Sequence, residues 1–228
     1  MSQTDFINYS KFFNNTIKAY QILFDKSLKS FSLDKYRTTI FKQFSINQKR
    51  IAIPMQTHSN RVQLINKHGV YENCDGLITY NEEIILSLQT ADCVPIFLID
   101  IEKNMKGLIH SGWKGTKNKI INNAISMMIN NGSSLSNILI VIGASIHKCC
   151  YQIGEELVDY FDQDCILYRD DKIYLSLQEQ IINDLRKLYI PENNIHIDNL
   201  CTFTNNQLSS YRRERSDAGR MISLLGNY

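Results

Sequence analysis

Residues 84–111 read IILSLQTADCVPIFLIDIEKNMKGLIHS, and this stretch decides the fold. It contains three runs rich in Ile, Leu, Val and Phe, at 84–89, 94–99 and 106–110, each bounded by polar or turn residues. Their length and composition are those of β-strands. Working outward, comparable runs precede it at 18–24, 50–55, 61–65 and 76–80, and 33–44 reads as a helix. After it the period changes. Within 116–130, Ile120, Ile121, Ala124, Ile125, Met128 and Ile129 recur at helical spacing and Gly132 supplies a stop. Residues 137–143 suit a buried strand, 154–161 and 177–188 suit helices, and short strands fit 172–175, 195–197 and 220–224. Strands first and helices mainly later predict a mixed α/β or α+β architecture rather than a regular βαβ winding.

Composition narrows the class. The 228 residues are 43% apolar and 21% charged, which excludes disorder and suits one large unit with a sizeable core. With 25 Lys and Arg against 23 Asp and Glu, the net charge is +2, so nothing points to a nucleic-acid or membrane-surface partner. Three prolines and no low-complexity tract leave no linker, and a single domain over 1–228 is expected. The segment MSQTDFINYSKFFNNTIKAY lacks the basic start and apolar run of a secretory signal, and no apolar stretch reaches membrane-spanning length. Cysteines 74, 93, 149, 150, 165 and 201 then read as reduced thiols of a cytoplasmic protein.

Three polar knots interrupt the apolar runs: Gln56-Thr57-His58-Ser59, Thr90-Ala91-Asp92-Cys93-Val94-Pro95 and His110-Ser111-Gly112-Trp113-Lys114-Gly115. Strand ends beside glycines present reactive side chains on a rigid frame. His58, Cys93 and His110 offer two imidazoles and a thiolate, the donors zinc favours, with a fourth position left open as in catalytic sites. The same residues suit a metal-free thiol hydrolase, with Cys93 as nucleophile and His110 as base. Spacing alone leaves both schemes standing, together with a plain packing role. His68, His147 and His196 read as solvated or structural. The Cys149-Cys150 doublet reads as structural too, because no second pair stands at ligand spacing, and Trp113 reads as a packing anchor. The most basic cluster is Arg212-Arg213 with Arg220, which with Lys114 suits an anion. Dinucleotide, P-loop, zinc-deaminase and nucleophile-elbow motifs are absent.

These knots, taken in order with Asp75-Gly76-Leu77-Ile78-Thr79, Ile142-Gly143-Ala144-Ser145-Ile146, Tyr151-Gln152-Ile153-Gly154-Glu155, Cys201-Thr202 and Ser210-Tyr211-Arg212-Arg213, resemble the YfiH-type laccase-domain family. That family is also labelled polyphenol oxidase or purine nucleoside phosphorylase. The resemblance implies an α/β fold, a mixed β-sheet sandwich flanked by helices and similar in core to the cytotoxic necrotising factor toxins. It implies one Zn²⁺ on His58, Cys93 and His110; a single His₂Cys set is too small for a multicopper oxidase. It implies phosphorolysis of adenosine, inosine and methylthioadenosine together with adenosine deamination, so that the partners are a purine nucleoside and phosphate. Phosphate would then meet Lys114, Arg212, Arg213 or Arg220, and Asp75 and Asp92 are candidate proton donors beside the catalytic Cys93 and His110. The chain departs from the family pattern at 21–31, QILFDKSLKSF, and at Ser59, Ser111, Lys114 and Ala144.

Overall fold

The strand Val94–Asp100 is buried along its whole length because it separates two cores. Val94, Ile96 and Leu98 enter one and Phe97 and Ile99 the other, the alternation a pleated strand imposes. In the computed structural model, which describes residues 5–228, this strand lies within a six-stranded mixed sheet. The order is Ile195–Ile197, Ile138–Ile142, Val94–Asp100, Met105–Ser111, Gly76–Thr79 and Val62–Leu64. Val94–Asp100 pairs antiparallel with Met105–Ser111, from Val94 opposite Ser111 to Asp100 opposite Met105.

A second six-stranded mixed sheet has the order Phe6–Asn8, Lys18–Ile22, Met221–Gly226, Ile85–Thr90, Ile51–Pro54 and Gly69–Tyr71. Leu86, Leu88 and Leu225 from this sheet pack with Leu77, Phe97, Leu108 and Val141 from the other, so one core fills the space between the sheets. The outer face of the second sheet, through Ile22, Ile51, Ile85, Ile222 and Leu224, is covered by Tyr36, Ile40 and Phe41 of the helix Leu33–Gln43. Helices Ile120–Asn130 and Leu177–Lys187 cover the outer face of the first. The result is the sandwich flanked by helices that the resemblance implied. Burying a side chain such as Phe97 is worth about 3 kcal/mol, so this doubly covered strand anchors the molecule.

A polar strut joins the layers. Gln21 donates from Nε2 to the Ala144 carbonyl at 2.9 Å and accepts the Ala144 N–H at 3.0 Å, while the Tyr9 hydroxyl donates to Asp198 at 2.7 Å. All the groups are buried, and each finds the partner that burial demands.

Most of the expected elements are present, with instructive differences. The run at 116–130 is two helices, Trp113–Lys117 and Ile120–Asn130, because Lys119 takes a left-handed conformation (φ 60°) and sends its ammonium to buried Asp184 at 2.7 Å. The segment 154–161 is a 3-10 turn, Glu155–Tyr160, with only Val158 buried; it lacks an apolar face at helical spacing. Phe6–Asn8, Gly69–Tyr71, Gln152–Ile153 and Ile166–Arg169 are short strands that the sequence reading missed. Residues 1–4, the start of the segment read for a signal, lie outside the described residues. Among those described, no helix is long and apolar enough to cross a membrane.

Candidate metal and substrate site

The chain crosses between the two sheets twice in ways that matter. The loop carrying His58 links Ile51–Pro54 of one sheet to Val62–Leu64 of the other, and the turn carrying Cys93 links Ile85–Thr90 to Val94–Asp100. His110 lies near the end of Met105–Ser111, whose pairing sets Pro95 opposite His110. Two crossings and one strand end therefore converge. The donor atoms of His58, Cys93 and His110 all lie within 4.8 Å of one another. Cys93 Sγ is 3.9 Å from His58 Nε2, and the two imidazole rings meet edge to face at 4.9 Å.

Asp75, fully buried just before Gly76–Thr79, organises this convergence. Its Oδ1 accepts the His58 N–H at 2.9 Å and the His110 Nδ1–H at 2.8 Å. Its Oδ2 accepts from Ser59 N and Ser59 Oγ, both at 2.7 Å, and from Thr57 N at 3.2 Å. Those bonds hold His58 in a left-handed conformation (φ 58°) that a non-glycine residue adopts at a cost of about 1 kcal/mol or more. Because His110 gives its Nδ1 proton to Asp75, its Nε2 remains available to a metal, the usual orientation of a metal-binding histidine.

Burial alone would raise the Asp75 carboxyl, but hydrogen bonds from His110 and Ser59 override it and hold the group well below the usual carboxylate range. Asp75 is thus an acceptor and not the proton donor that the sequence reading allowed. Burial likewise opposes ionisation of Cys93, yet the nearby His110 and His58 bring its thiol down to about 6. Burial works against a charged His110 too, and Cys93 and Asp75 outweigh it, lifting the imidazole to about 9. Free of metal, the pair is a thiolate beside an imidazolium.

The donor set fits a zinc-like ion on the structure's own terms: one acidic thiol, two imidazoles and a carboxylate fixing the tautomer of one. Gly112 adds a cradle. A Cβ there would stand 3.0 Å from Cys93 Sγ and 3.1 Å from His58 Cδ2.

Around this centre the structure sorts the remaining candidates. Asp92, at φ 82°, accepts from Thr202 Oγ1 and from the Arg212 N–H, both at 2.6 Å. It therefore pins the Cys93 turn to the C-terminal loops. Arg212 places its guanidinium 5.0 Å above the Tyr151 ring and gives NH1 to the Gln152 carbonyl at 2.8 Å, leaving its other donors without a protein partner among the described residues. Arg213 points elsewhere. It donates to the Thr202, Phe203 and Leu208 carbonyls and to Glu214, so its fork is consumed in holding the 202–208 loop and offers phosphate little. Arg220 gives NH1 to the Ala218 and Gly219 carbonyls at 2.8 and 2.9 Å. Lys114 extends 5.5 Å over the Trp113 ring, and Trp113 packs beside the outer core as expected of an anchor.

Tyr151 is the participant that sequence reasoning passed over. Burial raises its hydroxyl, with Cys93 raising it further and Arg212 opposing, which puts that hydroxyl in the field of both. Its signals were its place directly after the Cys149-Cys150 doublet and at the head of the motif Tyr151-Gln152-Ile153-Gly154-Glu155, neither of which gave it a role. The divergent 21–31 segment packs against the same C-terminal region, through Lys29 to Asp217 at 3.5 Å.

Comparison with known proteins places the chain in a family. A purine nucleoside phosphorylase of Clostridium acetobutylicum is 34% identical over 187 residues, covering 78% of each chain. One from Borreliella burgdorferi is 32% identical over 201 residues, covering 84% of each. Adenosine deaminase RL5, from an unknown prokaryotic organism, is 31% identical over 135 residues, covering 55% of this chain and 52% of its own. Among solved structures, the Bacillus licheniformis hypothetical protein YfiH superposes with a TM-score of 0.88 at 24% identity, over 100% of this chain and 97% of that one. Residues 29–227 match the family described as multi-copper polyphenol oxidoreductase laccase, so the chain belongs to that family, the YfiH-type laccase-domain proteins.

Proposed function

We propose that this protein is an enzyme of purine nucleosides that phosphorolyses adenosine and related nucleosides and deaminates adenosine, with Zn²⁺ held by His58, Cys93 and His110. The observation that carries the reading is the convergence of those three donors, with Asp75 behind His110, in a chain 34% identical to a purine nucleoside phosphorylase. A zinc ion held by these three residues would supply Lewis acidity and would bring the pKa of a coordinated water to about 7. The chain's own residues do the rest. Asp75 fixes the His110 tautomer, Gly112 keeps the approach to Cys93 and His58 open, and Arg212 with Lys114 offers positive charge to phosphate. Tyr151 supports the Arg212 guanidinium from below and holds a hydroxyl proton at neutral pH.

The test is chromatographic, with purified protein and adenosine, with and without phosphate, before and after metal removal and zinc restoration. Adenine formed only with phosphate and metal supports phosphorolysis; inosine formed without phosphate supports deamination. No turnover by zinc-loaded protein overturns the assignment. A second reading has one specific observation in its favour, the thiolate–imidazolium pair of Cys93 and His110 backed by Asp75, which is the layout of a thiol hydrolase. Full activity in chelator-treated protein, lost on alkylation of Cys93, would transfer the assignment to it.

A further inference from the structure

The doublet read as structural acquires a third member in the fold. The turn His147–Tyr151 is closed by N–H groups of Cys150 and Tyr151 donating to the His147 carbonyl, both at 2.9 Å. It is pinned from outside by Lys148, which reaches Glu179 and, at 3.0 Å, the Asp164 carbonyl. Beside it Cys201, distant in sequence, is brought alongside Ser145 by a parallel bridge. Cys149 Sγ is 3.2 Å from Cys150 Sγ and 3.8 Å from Cys201 Sγ, and all three sulfurs lie within 4.8 Å of one another.

We propose that Cys149, Cys150 and Cys201 form a second metal site, an all-thiolate triad for a soft d¹⁰ cation. Three sulfurs bound at about 2.3 Å to a common ion stand roughly 3.7–4.0 Å apart; the Cys149–Cys201 edge at 3.8 Å already fits, and the Cys149–Cys150 edge at 3.2 Å must open by about half an ångström or a little more. Thiolates in such a set select soft cations over the magnesium and calcium that prefer oxygen. The backbone is already arranged for anionic sulfur at one corner: the His147 N–H points at Cys201 Sγ at 3.4 Å. Cys149 is exposed, which gives an ion an entry path. Direct disulfide closure within the doublet is disfavoured by the geometry of adjacent residues.

The triad is distinct from the first centre yet tied to it. Thr202, next to Cys201, donates to Asp92, and Tyr151, next to Cys150, underlies Arg212. The proposal does not depend on the purine reading.

The test is a Cd²⁺ titration of the reduced full-length chain, following sulfur-to-cadmium charge-transfer absorption and counting bound ions after dialysis. The wild-type chain binds two ions. Cys93→Ser, which removes the thiolate of the first centre, retains about three quarters of the charge-transfer band, because three of the four ligating sulfurs remain. Cys149→Ser, at an exposed position expected to fold, loses the second ion, as does Cys201→Ser. A wild-type stoichiometry that Cys149→Ser leaves unchanged, or no band in Cys93→Ser, would each overturn the proposal, whereas a single ion retained by Cys93→Ser and lost by Cys149→Ser would place it at the triad. So would a triad found as a disulfide under reducing conditions, by a mass two hydrogens short.

Discussion

Replacing Asp75 by Asn changes one atom, and its cost can be worked from the hydrogen bonds. The new NH₂ must stand where Oδ1 or Oδ2 stood. At Oδ1 it faces the His58 N–H and the His110 Nδ1–H; at Oδ2 it faces the N–H groups of Thr57 and Ser59. Either flip strands two donors in a buried setting, at about 1–3 kcal/mol each, so Asp75→Asn should lose roughly 2–6 kcal/mol of stability. It should also weaken zinc binding about 10- to 100-fold, since a carboxylate no longer fixes the His110 ring. Urea denaturation and competition with a zinc chelator measure the two effects. Ser59→Ala is the control, removing one hydroxyl donor for about 1 kcal/mol with zinc affinity nearly intact. Asp75 also sets a direction with pH. Its folded pKa lies below its unfolded value of about 3.9, so its contribution is complete above that value and is lost as pH falls further. If Asp75→Asn costs less than 1 kcal/mol and binds zinc like wild type, the claim that Asp75 organises the site is wrong.

Three further outcomes follow from other residues. Metal-free protein holds Cys93 at about 6 and His110 at about 9, so on binding zinc the thiolate–imidazolium pair gives up one proton between those limits and none above pH 9, while a zinc-coordinated water would add up to one proton of its own at either pH. Calorimetry in buffers of different ionisation enthalpy at pH 7.5 and pH 10 reads this difference, and equal proton counts would refute it. Gly112→Ala places a methyl group 3.0 Å from Cys93 Sγ and should weaken zinc binding by about tenfold or more while leaving the melting temperature nearly unchanged. Lys106 is buried, and burial pushes its ammonium down to about 8. Between about pH 8 and 10.4 the unfolded chain keeps a proton the folded chain has released, so stability should rise with pH by up to ~3 kcal/mol, a slope absent in Lys106→Met.

The legibility of the sequence varied with the distance over which the physics acts. Val94–Asp100 and its antiparallel neighbours were readable because each strand carries its own apolar pattern. Phe6–Asn8 and Gly69–Tyr71 were not, since three residues hold no period and owe their extension to the strands beside them. His58, Cys93 and His110 could be picked out by donor chemistry, but only the crossings between sheets bring them together. Asp75 looked like a free acid because half of its six donors are backbone N–H groups, which no residue type announces. The Cys149-Cys150 doublet looked inert because Cys201 reaches it through a bridge to Ser145, a pairing without any local signal. Arg212 and Arg213, adjacent in sequence, were equal as anion ligands until the short helix Tyr211–Glu214 turned them in different directions.

That divergence offers a way to separate the two activities proposed for the site. Phosphorolysis needs an anion held beside the nucleoside, whereas hydrolytic deamination needs none. Of this adjacent pair Arg212 is the guanidinium with spare donors, above Tyr151; Arg213 is bonded to carbonyls. A hydrogen bond to a charged group contributes about 1.5–3 kcal/mol, so Arg212→Met should raise the phosphate KM by roughly 10- to 150-fold. Adenosine deamination, measured without phosphate, should fall by far less. Arg213→Met should do the reverse, lowering stability by stranding the Thr202, Phe203 and Leu208 carbonyls while leaving the phosphate KM close to wild type in whatever fraction folds. If Arg212→Met depresses both activities in the same proportion, the guanidinium holds the site together through Tyr151 and the Gln152 carbonyl and does not bind phosphate. Lys114, at the start of the Trp113–Lys117 helix, and Arg220, whose bonds use only NH1, would then be the groups to replace.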